Sequence, residues 1–367
     1  MTRIAEISVH RTSLPLVRPF VTARRRATTL DTVLVSVTDS DGVTGWGEAP
    51  TSWRVTGESA ASVDAVVRGP LGDAVLGLDP LDTDAASERI IDAVVGNAAA
   101  RSAVESAVVD LAARLSGATL ARFLGAAPET TRISTDLTLA AGPVESLLAD
   151  ARAGAAFPAL KIKVGLDADA DRDAVIAVRR EIGSDVRLRV DANQGWTASD
   201  AIRVIRAWEE AGVDLEFVEQ PTPARDLAAL AFVTSAVSTP ILADESVWTT
   251  SDLHDIVERR AADAVNIKLA KCGGPVAALD LARAARAAGM GIIVGSMLES
   301  TVGVGTSAAV AAALDADAVH DLDAGAWVAA SPVDGGIRYD GGSIVLSTGA
   351  GLGIRGLAAP LADGSAA

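Results

Sequence analysis

The chain has 367 residues, nearly half of them apolar, which is enough for a barrel of about 250 residues and a smaller second domain. Asp and Glu number 48 against 32 Lys and Arg, so the formal net charge is −16. Because nucleic-acid sites need basic surfaces and the sequence has no basic stripe, the charge disfavours nucleic-acid binding.

The first part of the chain has the pattern of strands followed by helices. Residues 3–10, 32–38 and 43–48 alternate apolar and polar side chains, as half-buried strands do. Helical spacing follows in residues 59–75, 84–95 and 98–115. Because strands followed by helices are typical of an α+β unit, we predict a capping domain at residues 1–125.

From about Arg132 onward, short apolar strands alternate with helices and recur roughly every 25 to 30 residues, as the units of a β/α barrel do. The predicted strands are 134–139, 160–164, 187–190, 215–218, 241–243, 264–269, 291–294 and 319–322. A doubly wound sheet has a similar alternation, but polar residues at the carboxyl ends of several strands favour a barrel. We place this α/β barrel at residues 126–325.

The last segment, residues 326–367, returns to a β pattern. Residues 335–339 and 343–347 flank a Gly341-Gly342 turn and predict a hairpin. We expect this hairpin to return to the N-terminal domain.

Cysteine and histidine usage limits the chemistry. Cys272 is the single cysteine, so no internal disulfide forms, as is usual in a reducing cytoplasm. His10, His254 and His320 are scattered, which disfavours a histidine zinc site or a Ser-His-Asp triad. No signal peptide and no apolar run of membrane-spanning length is visible, so we expect a cytoplasmic protein without a membrane segment.

Three carboxylates stand at the ends of three consecutive predicted strands: Asp191, Glu219 and Asp244. A single acid after a strand commonly caps the next helix, but three around one barrel mouth would repel one another unless a cation binds between them. An all-oxygen set of this kind suits Mg²⁺.

Two predicted strands on either side of these acids carry lysines. Lys161 and Lys163 are two apart and point to the same side of their strand, and Lys268 ends another strand. Nearby cations lower the pKa of a desolvated lysine, which can then act as a general base. We expect Lys271, which lies beyond the strand end, to be solvated.

A cation between two opposed amines suits the removal of a weakly acidic proton next to a carboxylate. The cation and the ammonium groups stabilise the resulting enediolate. With a base on each face, one removes the proton and the other returns one, which inverts the carbon.

These residues resemble the enolase superfamily in its muconate-lactonizing branch. The matching segments are Lys161-Ile162-Lys163, Asp191-Ala192-Asn193-Gln194, Val218-Glu219-Gln220-Pro221, Ala243-Asp244-Glu245-Ser246, Asn266-Ile267-Lys268 and Gly45-Trp46-Gly47-Glu48-Ala49-Pro50. The resemblance implies a (β/α)₇β modified TIM barrel with an α+β cap built from both chain ends. It also implies Asp191, Glu219 and Asp244 as Mg²⁺ ligands.

The same resemblance assigns roles to the remaining residues. It implies Lys163 and Lys268 as the two bases and Lys161 as an electrostatic helper. Asn193 and Glu245 are then candidates for supporting the metal ligands. Barrels of this family often associate, so a homo-oligomer is a possible assembly.

The segment Asp321-Leu322-Asp323 at the end of the last barrel strand resembles that of dipeptide epimerases, in which an Asp-x-Asp pair holds the substrate's α-ammonium group. Residues two apart on a strand face the same way, so two carboxylates can bind one ammonium. A solvated loop and a second metal site are the alternatives. Ser296 is a further candidate for substrate binding.

Loops of the cap are expected to select the substrate side chain. Dipeptide epimerases that act on Ala-Glu resemble the segment from Phe20 to Arg26, which gives Arg25 as the position that binds the Glu side chain. Trp53, in a second loop, is either a lid residue facing the substrate or simple packing.

The resulting hypothesis is Mg²⁺-dependent epimerisation of a dipeptide such as Ala-Glu. The alternatives in the same branch are an N-acylamino-acid racemase, an o-succinylbenzoate synthase and a cycloisomerase, whose substrates lack a free α-ammonium. An alternative of another class is a barrel that binds a metabolite without catalysis.

Overall fold

The computed structural model describes residues 2–23, 26–315 and 317–359. Its strands are β1 Ile4–Val21, β2 Arg26–Asp39, β3 Thr44–Pro50, β4 Arg132–Thr135, β5 Leu137–Leu139, β6 Ala159–Lys163, β7 Arg187–Asp191, β8 Leu215–Glu219, β9 Ile241–Ala243, β10 Ala264–Lys268, β11 Gly291–Gly295, β12 Val319–His320, β13 Val333–Gly335, β14 Arg338–Asp340, β15 Ser343–Val345 and β16 Ile354–Leu357.

The α-helices are α1 Ala60–Val66, α2 Gly72–Val75, α3 Thr83–Ala93, α4 Ala98–Leu115, α5 Leu120–Phe123, α6 Val144–Ala153, α7 Ala168–Ile182, α8 Ala198–Glu210, α9 Leu227–Ala236, α10 Thr250–Arg259, α11 Leu269–Cys272, α12 Pro275–Ala287 and α13 Thr301–Leu314. A π-helical turn at Val67–Leu71 joins α1 to α2, and a 3-10 turn lies at Ala324–Trp327. The predicted helix 59–75 is therefore interrupted, and Pro70 within the turn is a physical reason, since proline cannot donate a helical hydrogen bond.

The N-terminal unit is an antiparallel sheet, β1-β2-β3, packed against helix α4. The two glycines of the Gly-Trp-Gly motif make this close packing possible. A Cβ atom on Gly47 would lie 2.0 Å from the carbonyl oxygen of Ala103, and one on Gly45 would lie 2.1 Å from that of Ala107. Strand and helix backbones therefore approach at a distance that only glycine permits.

The barrel consists of parallel strands in the order β11-β10-β9-β8-β7-β6-β5. Strand β12 lies between the two ends of this sheet. It pairs with β4 through His320 and Thr135, while the next residue, Asp321, forms a parallel bridge with Gly295 of β11. The predicted α/β barrel with an α+β capping domain is confirmed as the fold class, and the strands of the cap are antiparallel.

Two details of the barrel differ from the sequence prediction. The predicted strand 134–139 is divided at Asp136 into β4 and β5. The predicted hairpin forms as β14 and β15, but β15 pairs with β4 at the barrel instead of joining the N-terminal sheet. It is the following segment that reaches the cap, where Asp110 and Arg114 of α4 bind the backbone of Leu352 and Ile354. The boundaries at residues 125 and 325 stay predictions.

Apolar side chains fill one large core between the barrel strands and their helices, and a second core between the N-terminal sheet and α4. Among the described residues, no helix is both long and apolar enough to cross a membrane.

Candidate active site

The order of the barrel strands places the predicted residues in one row. Lys161 and Lys163 lie on β6, Asp191 ends β7, and Glu219 ends β8. Asp244 follows β9, and Lys268 ends β10. Because β7, β8 and β9 lie between β6 and β10, the lysine strands flank the three acid strands. All these side chains are at the carboxyl ends of the strands, where barrel enzymes place their active sites.

A cavity of about 80 Å³ opens at this end of the barrel, and we call it the inner pocket. It contains most of the residues predicted from the sequence: Lys161, Lys163, Asn193, Asp244, Glu245, Lys268, Ser296, Asp321 and Asp323. Its remaining lining is Phe20, Thr22, Arg54, Val55, Thr138, Met297, Leu298 and Ala324. The pocket therefore lies between the barrel and the loops of the cap.

Asp191 is fully buried beneath the pocket and holds Lys163. The Nζ atom of Lys163 donates to Asp191 Oδ2 at 2.5 Å. Asn193 steadies the same carboxylate, donating from its backbone to Oδ1 at 2.8 Å and from its side chain to Oδ2 at 3.2 Å. Asn193 therefore supports Asp191, in the position that the sequence predicts for it.

Lys268 lies on the other side, where its Nζ atom donates to Asp244 Oδ2 at 2.8 Å and is 3.9 Å from Glu219 Oε1. Burial lowers the pKa of Lys268, but the charges of Asp244 and Glu219 outweigh burial, so the net pKa is raised. Lys161 acts in the opposite direction and lowers this pKa, but by less than the acids raise it. The lowered lysine pKa expected from the sequence includes the charge of a bound cation, so it stays a prediction.

The prediction that Lys271 is solvated is wrong. The residue is buried, and its Nζ atom donates to Asp244 Oδ1 at 2.6 Å, to the backbone oxygen of Asp244, and to that of Asn266 at 3.0 Å. The physical reason is helix α11, a single turn that starts directly after β10 and carries Lys271 back over the strand ends. Lys268 and Lys271 together hold the pKa of Asp244 well below its usual range despite its burial.

Glu219 has the environment expected of a metal ligand. Asn266 donates to its Oε1 atom at 2.7 Å, whereas Oε2 has no hydrogen-bond partner among the described residues. Burial and the neighbouring Asp191 raise the pKa of Glu219 to about 8. A buried carboxylate oxygen left without a donor and a set of three acids both fit a hard divalent cation. The residues present therefore fit Mg²⁺, held by Asp191, Glu219 and Asp244.

The Asp-x-Asp pair lies on the pocket wall beside Lys161. Asp321 forms an ion pair with Lys161 and accepts from Asn266 at 3.3 Å. Asp323 accepts from the backbone and hydroxyl of Thr138 at 2.7 and 3.1 Å, and from Trp327 Nε1 at 3.1 Å. Both carboxylates are thus fixed in place while still lining the pocket.

Asp136, which the sequence analysis missed, forms a second acidic group with Asp321 and Asp323. One carboxylate oxygen from each lies within 4.8 Å of the others. Burial and the charge of Asp321 raise the pKa of Asp136 to about 7. Arg189 donates to Asp136 at 2.8 Å and Lys161 pairs with Asp321, so protein cations already offset part of this charge. Less negative charge is therefore left at this group to attract a second metal ion.

Gln220 is another residue with no role assigned from the sequence. Its Oε1 atom accepts from the backbone of Asp244 at 2.9 Å and of Ser246 at 3.1 Å. Its backbone has a φ of 36°, and that of Gln194, which bonds to it, has a φ of 66°. Both conformations are unfavourable for side-chain-bearing residues, and such strain is concentrated at functional sites. Glu245 lies beside them, and burial and the charge of Asp244 raise its pKa to about 7.

The loops of the cap give mixed results. Arg25 lies outside the described residues, so its predicted contact with a substrate side chain stays a prediction. Trp53 is 75 % exposed and does not line the inner pocket, so it neither packs nor covers the site. Its neighbours Arg54 and Val55 do line the pocket. Ser296 lines it too, and its contact with a substrate stays a prediction.

A signal for some of the missed residues is present in the sequence. Arg189 and Asn266 are polar residues inside apolar strands, each two positions before a predicted site residue. Side chains two apart on a strand share a face, so Arg189 shares its face with Asp191, and Asn266 with Lys268. No such pattern exists for Lys271 or Arg54, which come from a helical turn and a loop.

The chain was compared with known families and proteins. Residues 4–125 match the mandelate racemase / muconate lactonizing enzyme N-terminal domain, and residues 144–356 match the enolase C-terminal domain-like family. The two matched segments together cover most of the chain.

Among curated proteins, the L-Ala-D/L-Glu epimerase of Bacillus subtilis is 39% identical over 359 residues, which cover 97% of this chain and 98% of the relative. The structure of its substrate-liganded complex matches at a TM-score of 0.94, with 38% identity over 97% of this chain and 99% of the other. A dipeptide epimerase from Enterococcus faecalis, complexed with Mg and L-Leu-L-Tyr, matches at a TM-score of 0.91, with 33% identity over 96% of this chain and 99% of the other. Both of these proteins are named epimerases, and epimerases are isomerases.

Proposed function

We propose a function from the premise that this chain belongs to the mandelate racemase / muconate lactonizing enzyme family of the enolase superfamily. The protein epimerises a dipeptide by moving the proton next to the substrate carboxylate. The observation that carries the proposal is the strand order of the barrel. It places Lys163 and Lys268 on opposite sides of three acids, at one pocket.

In this reaction one lysine removes the proton from one face of the carbon, and the other delivers a proton to the opposite face. A lysine that accepts a proton must be neutral, while one that donates must be charged. Lys161, whose pKa the surrounding acids raise despite burial, stays charged and stabilises the negative charge that develops on the substrate carboxylate.

The acids Asp191, Glu219 and Asp244 would hold the Mg²⁺ ion. When bound, this ion stabilises negative charge on the substrate carboxylate and offsets the field of the acids that keeps lysines protonated. Asn193, Gln220 and Asn266 keep the three acids in position through the hydrogen bonds described above.

A dipeptide is the substrate class because Asp321 and Asp323 offer two carboxylates on one wall of the pocket. Two carboxylates recognise an ammonium group by charge-assisted hydrogen bonds. N-acylated amino acids have no such group and would leave these acids without a contact to the substrate. The names of the relatives support the same class, and an L-Ala-D/L-Glu epimerase among them favours an acidic second residue, with Ser296 and Arg25 as further contacts.

Exchange of the substrate α-proton in heavy water tests the proposal. The enzyme with Mg²⁺ is incubated with L-Ala-L-Glu, with a library of other dipeptides and with N-succinyl amino acids, and deuterium uptake is followed by mass shift. We expect uptake at the C-terminal residue of dipeptides together with inversion. Uptake only in N-succinyl amino acids would assign the protein to the racemases, and no uptake from any substrate would favour a binding barrel.

A further inference from the structure

A second cavity of about 730 Å³ adjoins the inner pocket, and we call it the outer pocket. Three residues line both cavities: Arg54, Val55 and Glu245. The two cavities therefore meet at these three residues.

Arg54 differs from the other cations of the inner pocket because it has no partner within residues 2–23, 26–315 and 317–359. Lys161 pairs with Asp321, Lys163 with Asp191, and Lys268 with Asp244. Arg54 is exposed and has no ion pair or hydrogen bond with any residue of the part of the chain that the structure describes. An unpaired guanidinium at the wall of a substrate pocket is suited to bind a carboxylate in a bidentate manner.

The surroundings of Arg54 define the rest of the ligand. The apolar groups of the inner pocket are Phe20 and Val55 of the N-terminal unit, together with Met297 and Leu298, which follow β11 and pack against that unit. Apolar side chains favour contact with methylene groups, whereas the guanidinium favours an anion at their end. A short aliphatic chain that ends in a carboxylate matches both.

We infer that Arg54 binds the side-chain carboxylate of the residue that is epimerised, and that it thereby selects acidic dipeptides. This inference rests on the proposed function and adds a specificity-determining residue to it. The carboxylate next to the reacting carbon stays at the acids and lysines of the barrel, while the side chain points toward the cap and ends at the junction of the two pockets.

The test compares L-Ala-L-Glu with L-Ala-L-Gln, which has the same size and a neutral end. Epimerisation by the wild-type enzyme and by Arg54→Met is followed as deuterium uptake over a range of substrate concentrations. We expect the wild type to prefer L-Ala-L-Glu, and Arg54→Met to lose that preference by a factor of about 10 or more, mainly through KM. Turnover of L-Ala-L-Gln should change little.

Two further variants sharpen the comparison. Arg54→Lys keeps the charge and should restore part of the preference. Arg225→Met removes an arginine that lines only the outer pocket, and it should leave the preference intact.

Several outcomes would overturn the inference. Equal loss with both substrates in Arg54→Met would mean that the residue only supports the loop. The same loss of preference for L-Ala-L-Glu in Arg225→Met would show a diffuse effect of charge. Loss of this preference in Arg25→Met alone would assign the binding of the side-chain carboxylate to Arg25. If the wild type turns over dipeptides without preferring the acid, only this inference fails, whereas the absence of any dipeptide turnover would end the proposed function as well.

Discussion

All the lysines of this protein are at its candidate active site. The sequence contains only Lys161, Lys163, Lys268 and Lys271, and every other basic side chain except the histidines is an arginine. Each of the four is buried and paired with an acid at the barrel mouth. Any measurement selective for lysine side chains therefore reports directly on this site.

The opposed positions of Lys163 and Lys268 lead to a stereochemical prediction. In Lys163→Ala and in Lys268→Ala we expect loss of inversion, because one face of the carbon has no proton carrier. Each variant should still exchange the α-proton of one stereoisomer, and the two variants should act on opposite ones. Deuterium uptake from L,L- and L,D-dipeptides measures this. If both variants served the same stereoisomer, the lysines would have to lie on one side of the substrate.

Replacement of Asp321 tests the ammonium site. In Asp321→Asn we expect turnover of a dipeptide to fall by about 100-fold or more, since a charge-assisted contact is lost and Lys161 loses its ion-pair partner. Mg²⁺ binding, measured by calorimetry, should persist because the three proposed ligands are unchanged. An N-acetylated dipeptide serves as the control substrate, and its slow turnover should fall much less. A parallel fall for both substrates would contradict the ammonium assignment.

At the scale of elements, buried glutamates bind the N-termini of helices across the molecule. Glu48 of β3 accepts from the backbone of Ser300 and Gly303 at the start of α13. Glu105 of α4 accepts from Val276 at the start of α12, at 2.9 Å. Free backbone N–H groups and the helix dipole favour a carboxylate there. These contacts attach the cap to the barrel beneath the pocket that both units line.

Glu105 gives a prediction for stability against pH. Burial raises its pKa from 4.5 to about 7, although Ser87 and Val276 donate to it. Because the folded protein prefers the protonated form, the contribution of this group to stability is complete below pH 4.5 and is lost as the pH rises through 7. We expect the wild type to lose about 3 kcal/mol relative to Glu105→Gln over this interval.

Urea denaturation at several pH values measures this difference in the free energy of unfolding. Glu88→Gln, which changes an exposed acid on the neighbouring helix α3, is the matched control and should follow the wild type. A difference between the wild type and Glu105→Gln that stays constant from pH 4.5 to 7 would show that Glu105 is charged throughout.

At the scale of the whole molecule, the proposed metal site couples stability to cation binding. Three buried acids from three strands repel one another, and a bound divalent cation would relieve this repulsion. Removal of Mg²⁺ with a chelator should therefore abolish α-proton exchange and lower the Tm by several degrees. Saturating Mg²⁺ at about 100 times its Kd stabilises the folded state by about 2.7 kcal/mol.

Differential scanning calorimetry with and without Mg²⁺ measures this shift. In Glu219→Gln the Tm should respond much less to Mg²⁺, since the oxygen left without a hydrogen bond belongs to this side chain. Full exchange activity in the presence of the chelator would contradict the metal assignment.

The fold and much of the site could be predicted from the sequence because the barrel is a repetitive structure. Each strand end is at the same mouth, so Asp191, Glu219, Asp244 and Lys268 are brought together by strand order alone. The same rule places Asp321 beside them. Local patterning and the shared geometry of parallel strands were sufficient for these residues.

The tertiary structure decided what depends on the turns after the strands and on contacts between the two units. Lys271 is drawn over Asp244 by the direction of a single helical turn, and Arg54 reaches the pocket only because the cap packs on the barrel. The periodicity of a sequence indicates which face of a strand or helix is buried and where that element ends. The direction of a loop and the distances between charged groups are set only when the elements pack.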